Sequence, residues 1–143
     1  EPLPREADWT PLGPEALGVL LSIVQDAAAP EAQRLRAIAA LAVVEPPEEP
    51  TRRLEELSRS SQLTPPLRAA AVLALPRRAG LAALPLLVPL LEDREVLVRS
   101  TTARALGRMG GAEARRALES RLALEPHPEV RAALQQGLSD TEP

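Results

Sequence analysis

The chain has 143 residues, 45% of them hydrophobic and 26% charged, which suits one compact domain or one short repeat array. It has no cysteine, tyrosine or phenylalanine, a single tryptophan, and a formal net charge of −3. This composition excludes a disulfide framework, a thiolate metal site and a chain-wide basic surface for nucleic acid. Leucine, alanine and valine must fill the core, and because leucine and alanine favour helices, we expect an all-α fold.

Every one of the 17 basic residues is arginine, and alanine, glycine and proline are abundant, a bias that indicates a GC-rich, bacterial genome. Residues 1–60 hold six arginines and eleven acids, whereas residues 61–143 hold eleven arginines and nine acids. The C-terminal half is therefore mildly basic. Because the first residue is Glu1 and not methionine, a removed signal, an upstream domain or a trimmed terminus all stay open. The compartment is thus undecided, with the cytoplasm slightly favoured.

The first predicted element is a proline-rich arm, residues 1–13, which shows no helical periodicity and has Trp9 as its only large apolar group. From residue 14 onward, apolar residues recur at helical spacing. Four segments align on an apolar residue followed by arginine: Leu35–Val43, Leu67–Leu75, Val98–Leu106 and Val130–Leu138. Their arginines recur at intervals of 32, 31 and 32 residues, which indicates an internal repeat.

A second set of amphipathic segments alternates with the first: Ala16–Gln25, Arg52–Arg59, Leu81–Leu91 and Ala114–Leu124. Each repeat is therefore predicted to be a helical hairpin, over about residues 14–45, 50–78, 80–109 and 111–138, followed by a polar tail at 139–143. Small residues, Gly137 among them, sit on the inner face of the second helices, where they allow close helix packing. Pro89 lies inside a predicted helix and should bend it or delay its start.

The third repeat, ALPLLVPLLEDREVLVRSTTARALGRMGG (Ala83–Gly111), resembles the HEAT family, particularly the HEAT-like repeats of the phycobilisome-lyase type. The resemblance extends in weaker form over residues 14–138. It implies a right-handed α-solenoid of about four hairpins. Such repeats mostly serve as adaptors and only occasionally as enzymes, so we expect a non-catalytic scaffold that binds another protein through the solenoid surface.

The resemblance also implies a structural ladder of arginines, each paired with an acid that stands six residues before it. The predicted arginines are Arg36, Arg68, Arg99 and Arg131. Asp93 and Glu125 stand six residues before the last two, whereas Pro30 and Gln62 occupy the other two places. The alternative is that these guanidinium groups form a row that grips an acidic partner. We favour the structural interpretation.

Candidate partner-binding residues are Trp9 and a second basic cluster, Arg104, Arg108, Arg115, Arg116 and Arg121, which flanks a glycine pair. For the cluster, a solvated face balanced by Glu113 and Glu119 is favoured over a docking patch. Trp9 either covers the apolar edge of the first hairpin or anchors the arm on a partner, and covering is favoured.

No catalytic, cofactor or metal constellation is recognisable, because the single histidine lies between prolines and no nucleophile has a base beside it. A lyase-type subunit resembling the phycobilin lyases is an alternative, although the missing Tyr, Phe and Cys disfavour it. Nucleic-acid binding by the arginine cluster is less favoured still. A membrane span is not expected, because prolines interrupt the longest apolar run. The partner's identity and the oligomeric state stay open.

Overall fold

The computed structural model describes residues 14–45 and 48–142, and within these ranges the chain is helical and contains no strand. The helices are α1 Pro14–Gln25, α2 Glu31–Ala40, α3 Glu48–Arg59, α4 Pro65–Ala79, α5 Leu84–Leu87, α6 Val96–Met109, α7 Gly111–Leu122 and α8 Pro128–Thr141. The predicted all-α fold of packed helices is confirmed. The predicted arm, residues 1–13, lies outside the described ranges.

Contacts between Cα atoms divide the chain into two compact units, residues 1–80 and 81–143. In the first unit α1 packs on α2, α3 packs on α4, and α2 packs on α4, so the two second helices of the hairpins form its centre. Leu20, Ile38, Leu54 and Leu67 are completely buried. Since each comes from a different helix, all four helices of this unit contribute to one core.

In the second unit, α6 packs against α8 and against a 3₁₀ segment, Val88–Glu92, while α7 packs against α8. The first helix of the third hairpin is broken, because α5 is only four residues long and 3₁₀ turns flank it. Proline explains the break: Pro89 lacks an N–H and its ring clashes with the carbonyl four residues earlier. The helix α8 continues to Thr141, through residues that the sequence assigned to a tail.

The contact between α6 and α8 is close enough to require glycine on both helices. A Cβ atom built on Gly107 would lie 2.5 Å from the Cα of Gly137, and a Cβ atom on Gly137 would lie 2.8 Å from the carbonyl oxygen of Ala103. Both atoms belong to backbone, so no side-chain rotation can relieve the overlap. The small residue noted in the sequence at Gly137 is thus part of a close contact between the backbones of α6 and α8.

Residues 65–92 are the one described stretch that is helical, long and apolar enough to span a membrane, with a mean hydropathy of 1.5 over 18 residues. It is not one continuous α-helix, because α4 ends at Ala79 and Gly80 adopts a φ of 59°. Leu67 and Leu87 on it are fully buried within the protein. Length and composition are weak support for a span, and 39% of the 18-residue window is buried inside the protein.

Replacing Gly107 by alanine should lower the free energy of unfolding by about 1–3 kcal/mol, because the new methyl group overlaps backbone and forces α6 away from α8. Gly18→Ala is the matched control. Gly18 is a helical glycine on α1 with nothing within 4 Å of a built Cβ, so the change should stabilise by about 0.5–1 kcal/mol. Urea unfolding followed by circular dichroism measures both. Equal stability of Gly107→Ala and wild type would contradict the close contact.

Candidate functional site

A polar side chain stands at the start of each hairpin turn and accepts the backbone N–H two residues further on. These side chains are Asp26, Ser60, Asp93 and Glu125, with donor–acceptor distances between 2.9 and 3.2 Å. Such local side-chain acceptors favour a turn over continued helix. The four turns are therefore built in the same way, and they give a common reference point for comparing the hairpins.

An arginine on the second helix of three hairpins donates to a carbonyl at the end of the first helix, where carbonyls have no helical partner. Arg34 Nε lies 2.9 Å from the Val24 carbonyl oxygen, and Arg68 Nε lies 3.0 Å from that of Ser58. Arg131 Nη1 lies 2.9 Å from the Leu122 carbonyl oxygen. These arginines fasten the two helices of one hairpin to each other.

In the first hairpin the structure differs from the expectation, because Arg34 makes this contact and Arg36 is exposed. The alignment on an apolar residue followed by arginine selected Arg36. Counting from the turn gives the other result: Arg34 stands eight residues after Asp26, as Arg68 stands eight after Ser60. Within the first unit, this distance from the polar turn residue could have indicated Arg34; in the second unit Arg99 and Arg131 stand six residues after their turn residues.

The described ion pair of Arg99 joins two hairpins of the second unit. Arg99 Nε donates to Glu125 Oε2 at 2.9 Å and Nη2 donates to Oε1 at 3.1 Å, while Nη1 donates to the backbone carbonyl of Asp93 at 2.8 Å. Arg121 Nη2 donates to Glu125 Oε2 at 2.9 Å. A planar guanidinium matches a carboxylate in two parallel bonds, so this geometry is specific. Arg99 thus reaches an acid 26 residues further on, in the next hairpin.

The Glu125 side chain is completely buried, and that of Arg99 is 11% exposed. Burial by itself raises the pKa of a carboxyl group. Hydrogen bonds from Arg99, from the backbone N–H of His127 and from Arg121, together with the charge of Arg99, outweigh burial and leave the pKa of Glu125 below its usual value. The carboxylate is therefore ionised and fully bonded at neutral pH, as a structural group requires.

Arg131 occupies the position of Arg99 in the fourth hairpin, but it is exposed and bonds only backbone. Its Nη1 donates to the carbonyls of Leu122 and Glu125. No described acid contacts its guanidinium group, whereas the carboxylate of Glu125, six residues earlier, faces Arg99 and Arg121. At the expected spacing of six residues, Arg99 and Arg131 thus contact the backbone carbonyls of Asp93 and Glu125. The described ion pair of Arg99 is formed with Glu125, in the next hairpin.

The candidate binding arginines fall into two groups. Arg115 pairs with Glu119 at 3.1 Å, and Arg121 pairs with Glu125. The other three are exposed and make no hydrogen bond or ion pair with any residue that the structure describes; they are Arg104, Arg108 and Arg116. Trp9, the remaining candidate, lies outside the described residues. Three cations of the cluster are thus available to a partner.

An open groove of about 480 Å³, called here the α7 groove, runs between the 3₁₀ segment and α7. Its wall is mainly apolar, and it includes Arg116, one of the unpaired arginines. Leu124, just after α7, is part of the lining and has 70% of its surface exposed. The lining residues are Val88, Pro89, Leu91, Glu92, Arg116, Ala117, Ser120, Arg121 and Leu124. The groove could therefore accept an apolar side chain of a partner and, beside Arg116, a negatively charged group.

Chemistry-bearing side chains are dispersed in the described part of the chain. No group of three acidic or histidine side chains there lies close enough to hold a metal ion. His127 is the N-cap of α8, where its Nδ1 accepts the backbone N–H of Glu129 at 3.3 Å. The single histidine, which the sequence places between two prolines, is thus a capping residue of α8.

The sequence profile of HEAT repeats matches residues 54–139, more than half of the chain. The chain belongs to the HEAT-repeat family. Within this HEAT-repeat protein, the match covers α4 to α7, most of α8 and the turns that carry the contacts of Arg68, Arg99 and Arg131, whereas the contact of Arg34 lies before it. It does not distinguish the phycobilisome-lyase type of repeat, which stays a prediction. Comparison with curated proteins and with solved structures gave no significant match.

The lowered pKa of Glu125 predicts a specific acid sensitivity. A carboxyl whose pKa is depressed in the folded state contributes stability above its unfolded pKa, about 4.3, and loses it as the pH falls through the folded value. Glu125→Gln should lower the free energy of unfolding at pH 7 by about 2–4 kcal/mol and flatten its decline below pH 5. Glu119→Gln, on an exposed pair, should change stability by less than about 1 kcal/mol. Thermal unfolding between pH 3 and 7 tests this, and identical acid profiles of Glu125→Gln and wild type would refute it.

Proposed function

We propose that this HEAT-repeat protein is a non-catalytic adaptor that binds a segment of another protein in the α7 groove. HEAT repeats generally mediate protein–protein interaction, and HEAT-repeat proteins are typically non-catalytic scaffolds. The observation that carries the proposal is the apolar groove with an unpaired arginine and an exposed leucine in its lining. The partner segment has an apolar side chain and, close to it, a carboxylate.

The apolar part of the groove supplies most of the binding free energy. Fully burying a leucine side chain contributes about 1.5–3 kcal/mol, and Leu124 has 70% of its surface available for burial. An exposed ion pair contributes about 0–1 kcal/mol, so Arg116 acts chiefly on the rate of association and on the orientation of the partner. Leu124 is therefore the anchor of the site, and Arg116 selects an acidic partner.

The charges around the groove support an acidic partner over a basic one. In the lining, Arg121 is already bound by Glu125, while Arg116 and the one acid, Glu92, are both exposed and bond no described residue, so the preference comes from the arginines of the neighbouring helix. On the neighbouring α6, Arg104 and Arg108 are also unpaired among the described residues. A partner with net negative charge is therefore attracted to this part of the second unit before it reaches the groove.

Four single substitutions distinguish binding in the α7 groove from binding elsewhere on the surface. Leu124→Ser and Arg116→Gln should each weaken binding, with a loss of at least tenfold in affinity for Leu124→Ser. Leu81→Ser and Arg36→Gln are the matched controls, because Leu81 is 71% exposed and Arg36 is an exposed arginine outside the groove lining that bonds no described residue. The same captured protein is quantified from source-cell extract with each variant, and its dissociation constant is then measured with the purified pair.

Equal binding by the two groove variants and the two controls would contradict the proposal. A bound nucleic acid whose affinity falls steeply with salt, and which is weakened as much by Arg108→Gln as by Arg116→Gln, would favour nucleic-acid binding instead.

A further inference from the structure

The two walls of the α7 groove, the 3₁₀ segment and α7, run in the same direction. Arg99 donates to the carbonyl of Asp93, which directly follows the 3₁₀ segment, and to the side chain of Glu125, which lies in the turn after α7. The two turns are therefore neighbours, and each marks the end of one wall. The lining residues can thus be placed along the groove by their distance from these turns.

The exposed charges of the lining lie toward opposite ends of the groove. Glu92 is the last residue of the 3₁₀ segment and Leu124 lies just after α7, so both stand at the end with the turns. Arg116 stands six residues before the end of α7, which is about 9 Å back along the helix at 1.5 Å per residue. One end therefore has a leucine and an acid, and the other has an arginine.

The remaining charges of the lining cancel. Arg121 is neutralised by the buried carboxylate of Glu125. Glu92 and Arg116 are exposed and bond no residue that the structure describes. The groove thus offers a solvent-facing surface with one free cation, one free anion and a mainly apolar wall between them.

This order of side chains makes the α7 groove complementary to itself. A twofold axis brings the same patch of two subunits together, so that each residue meets its counterpart's partner in both directions. With the axis through the middle of the groove and perpendicular to it, Glu92 of one copy lies opposite Arg116 of the other, at both ends. Each Leu124 then lies opposite the arginine end of the other groove, where Val88 and Ala117 supply apolar wall.

We propose that a second copy of this chain closes the α7 groove when no partner occupies it. In this twofold dimer, Leu124 of each copy enters the groove of the other, and Glu92 of each copy pairs with Arg116 of the other. The inference rests on the proposed function of the groove as a docking site, because the second copy offers the same groups as the partner segment, an apolar side chain with a carboxylate beside it.

The dimer regulates the groove, because self-association and partner binding exclude each other. Only the monomer has an open groove, so the apparent affinity for a partner falls in proportion to the fraction of monomer. The dimer also removes the exposed Leu124 from water in the absence of a partner. It is therefore the resting form of the adaptor, and dilution or a tightly binding partner opens it.

Analytical ultracentrifugation of the full chain, without any partner, measures the dimer directly. Between about 1 and 500 µM the wild type should pass from monomer to dimer, because a small contact patch gives a weak dimer. Leu124→Ser should raise the dissociation constant of the dimer at least about tenfold, since each dimer loses two buried leucines. Leu81→Ser is the matched control, on a leucine of the same unit that is 71% exposed, and should leave the constant unchanged.

Two charge reversals test how the copies are arranged. Arg116→Glu and Glu92→Arg should each raise the dissociation constant at least about tenfold, because like charges then face each other at both ends of the interface. An equimolar mixture of the two variants should dimerise as the wild type does. In that mixed dimer the introduced glutamate faces the introduced arginine at one end, and the native pair is kept at the other. Arg36→Glu, on an exposed arginine of the first unit, is the control and should change nothing.

A wild type that stays monomeric over the whole range refutes the proposal. A dimer that Leu124→Ser leaves unchanged, or a mixture of the two charge reversals that stays monomeric, refutes it too.

Binding of the captured protein is measured separately, at concentrations at which every variant is monomeric. A monomeric wild type whose binding of the captured protein is weakened by Leu124→Ser contradicts the dimer alone. A dimer that responds as expected, together with equal binding of the captured protein by Leu124→Ser and Leu81→Ser, contradicts the adaptor site alone.

Discussion

The buried carboxylate of Glu125 is the group on which the second unit depends. It lies at the turn between α7 and α8, and it holds the guanidinium groups of Arg99 from the preceding hairpin and Arg121 from its own. An ionised carboxylate without such partners is very costly to bury. The turn, the end of α7 and the start of α6 are therefore stable only when they meet in one arrangement, and this arrangement fixes the neighbouring α7 groove.

Some of the arginines are held in ion pairs within the protein, and the unpaired arginines define the surface for binding. Arg99 and Arg121 are held by Glu125, and Arg115 is balanced by Glu119. Arg116, by contrast, stands beside an apolar groove and is unpaired among the described residues. In a chain whose basic residues are all arginine, residue type says little, so the partner of each guanidinium group has to be established one by one.

The periodicity of apolar residues was sufficient to predict the helical hairpins, because each helix buries one stripe of apolar residues and these residues recur in the sequence at helical spacing. It could not identify Arg34, because the alignment required an apolar residue before the arginine: Arg34 follows Gln33, whereas Arg36 follows Leu35. It could not pair Arg99 with Glu125 either, since that contact depends on how two hairpins pack. The α7 groove could not be predicted for the same reason, because its lining comes from the 3₁₀ segment and from α7, which belong to different hairpins.

The most direct test of this account is a double-mutant cycle on Arg99 and Glu125, with Arg99→Met, Glu125→Gln and the double variant compared with wild type by urea unfolding at pH 7. The cycle isolates the interaction between the two side chains from their separate contacts. The account predicts a coupling free energy of at least about 1.5 kcal/mol, because the pair is buried and doubly hydrogen-bonded. Single effects that add to within about 0.5 kcal/mol would contradict it.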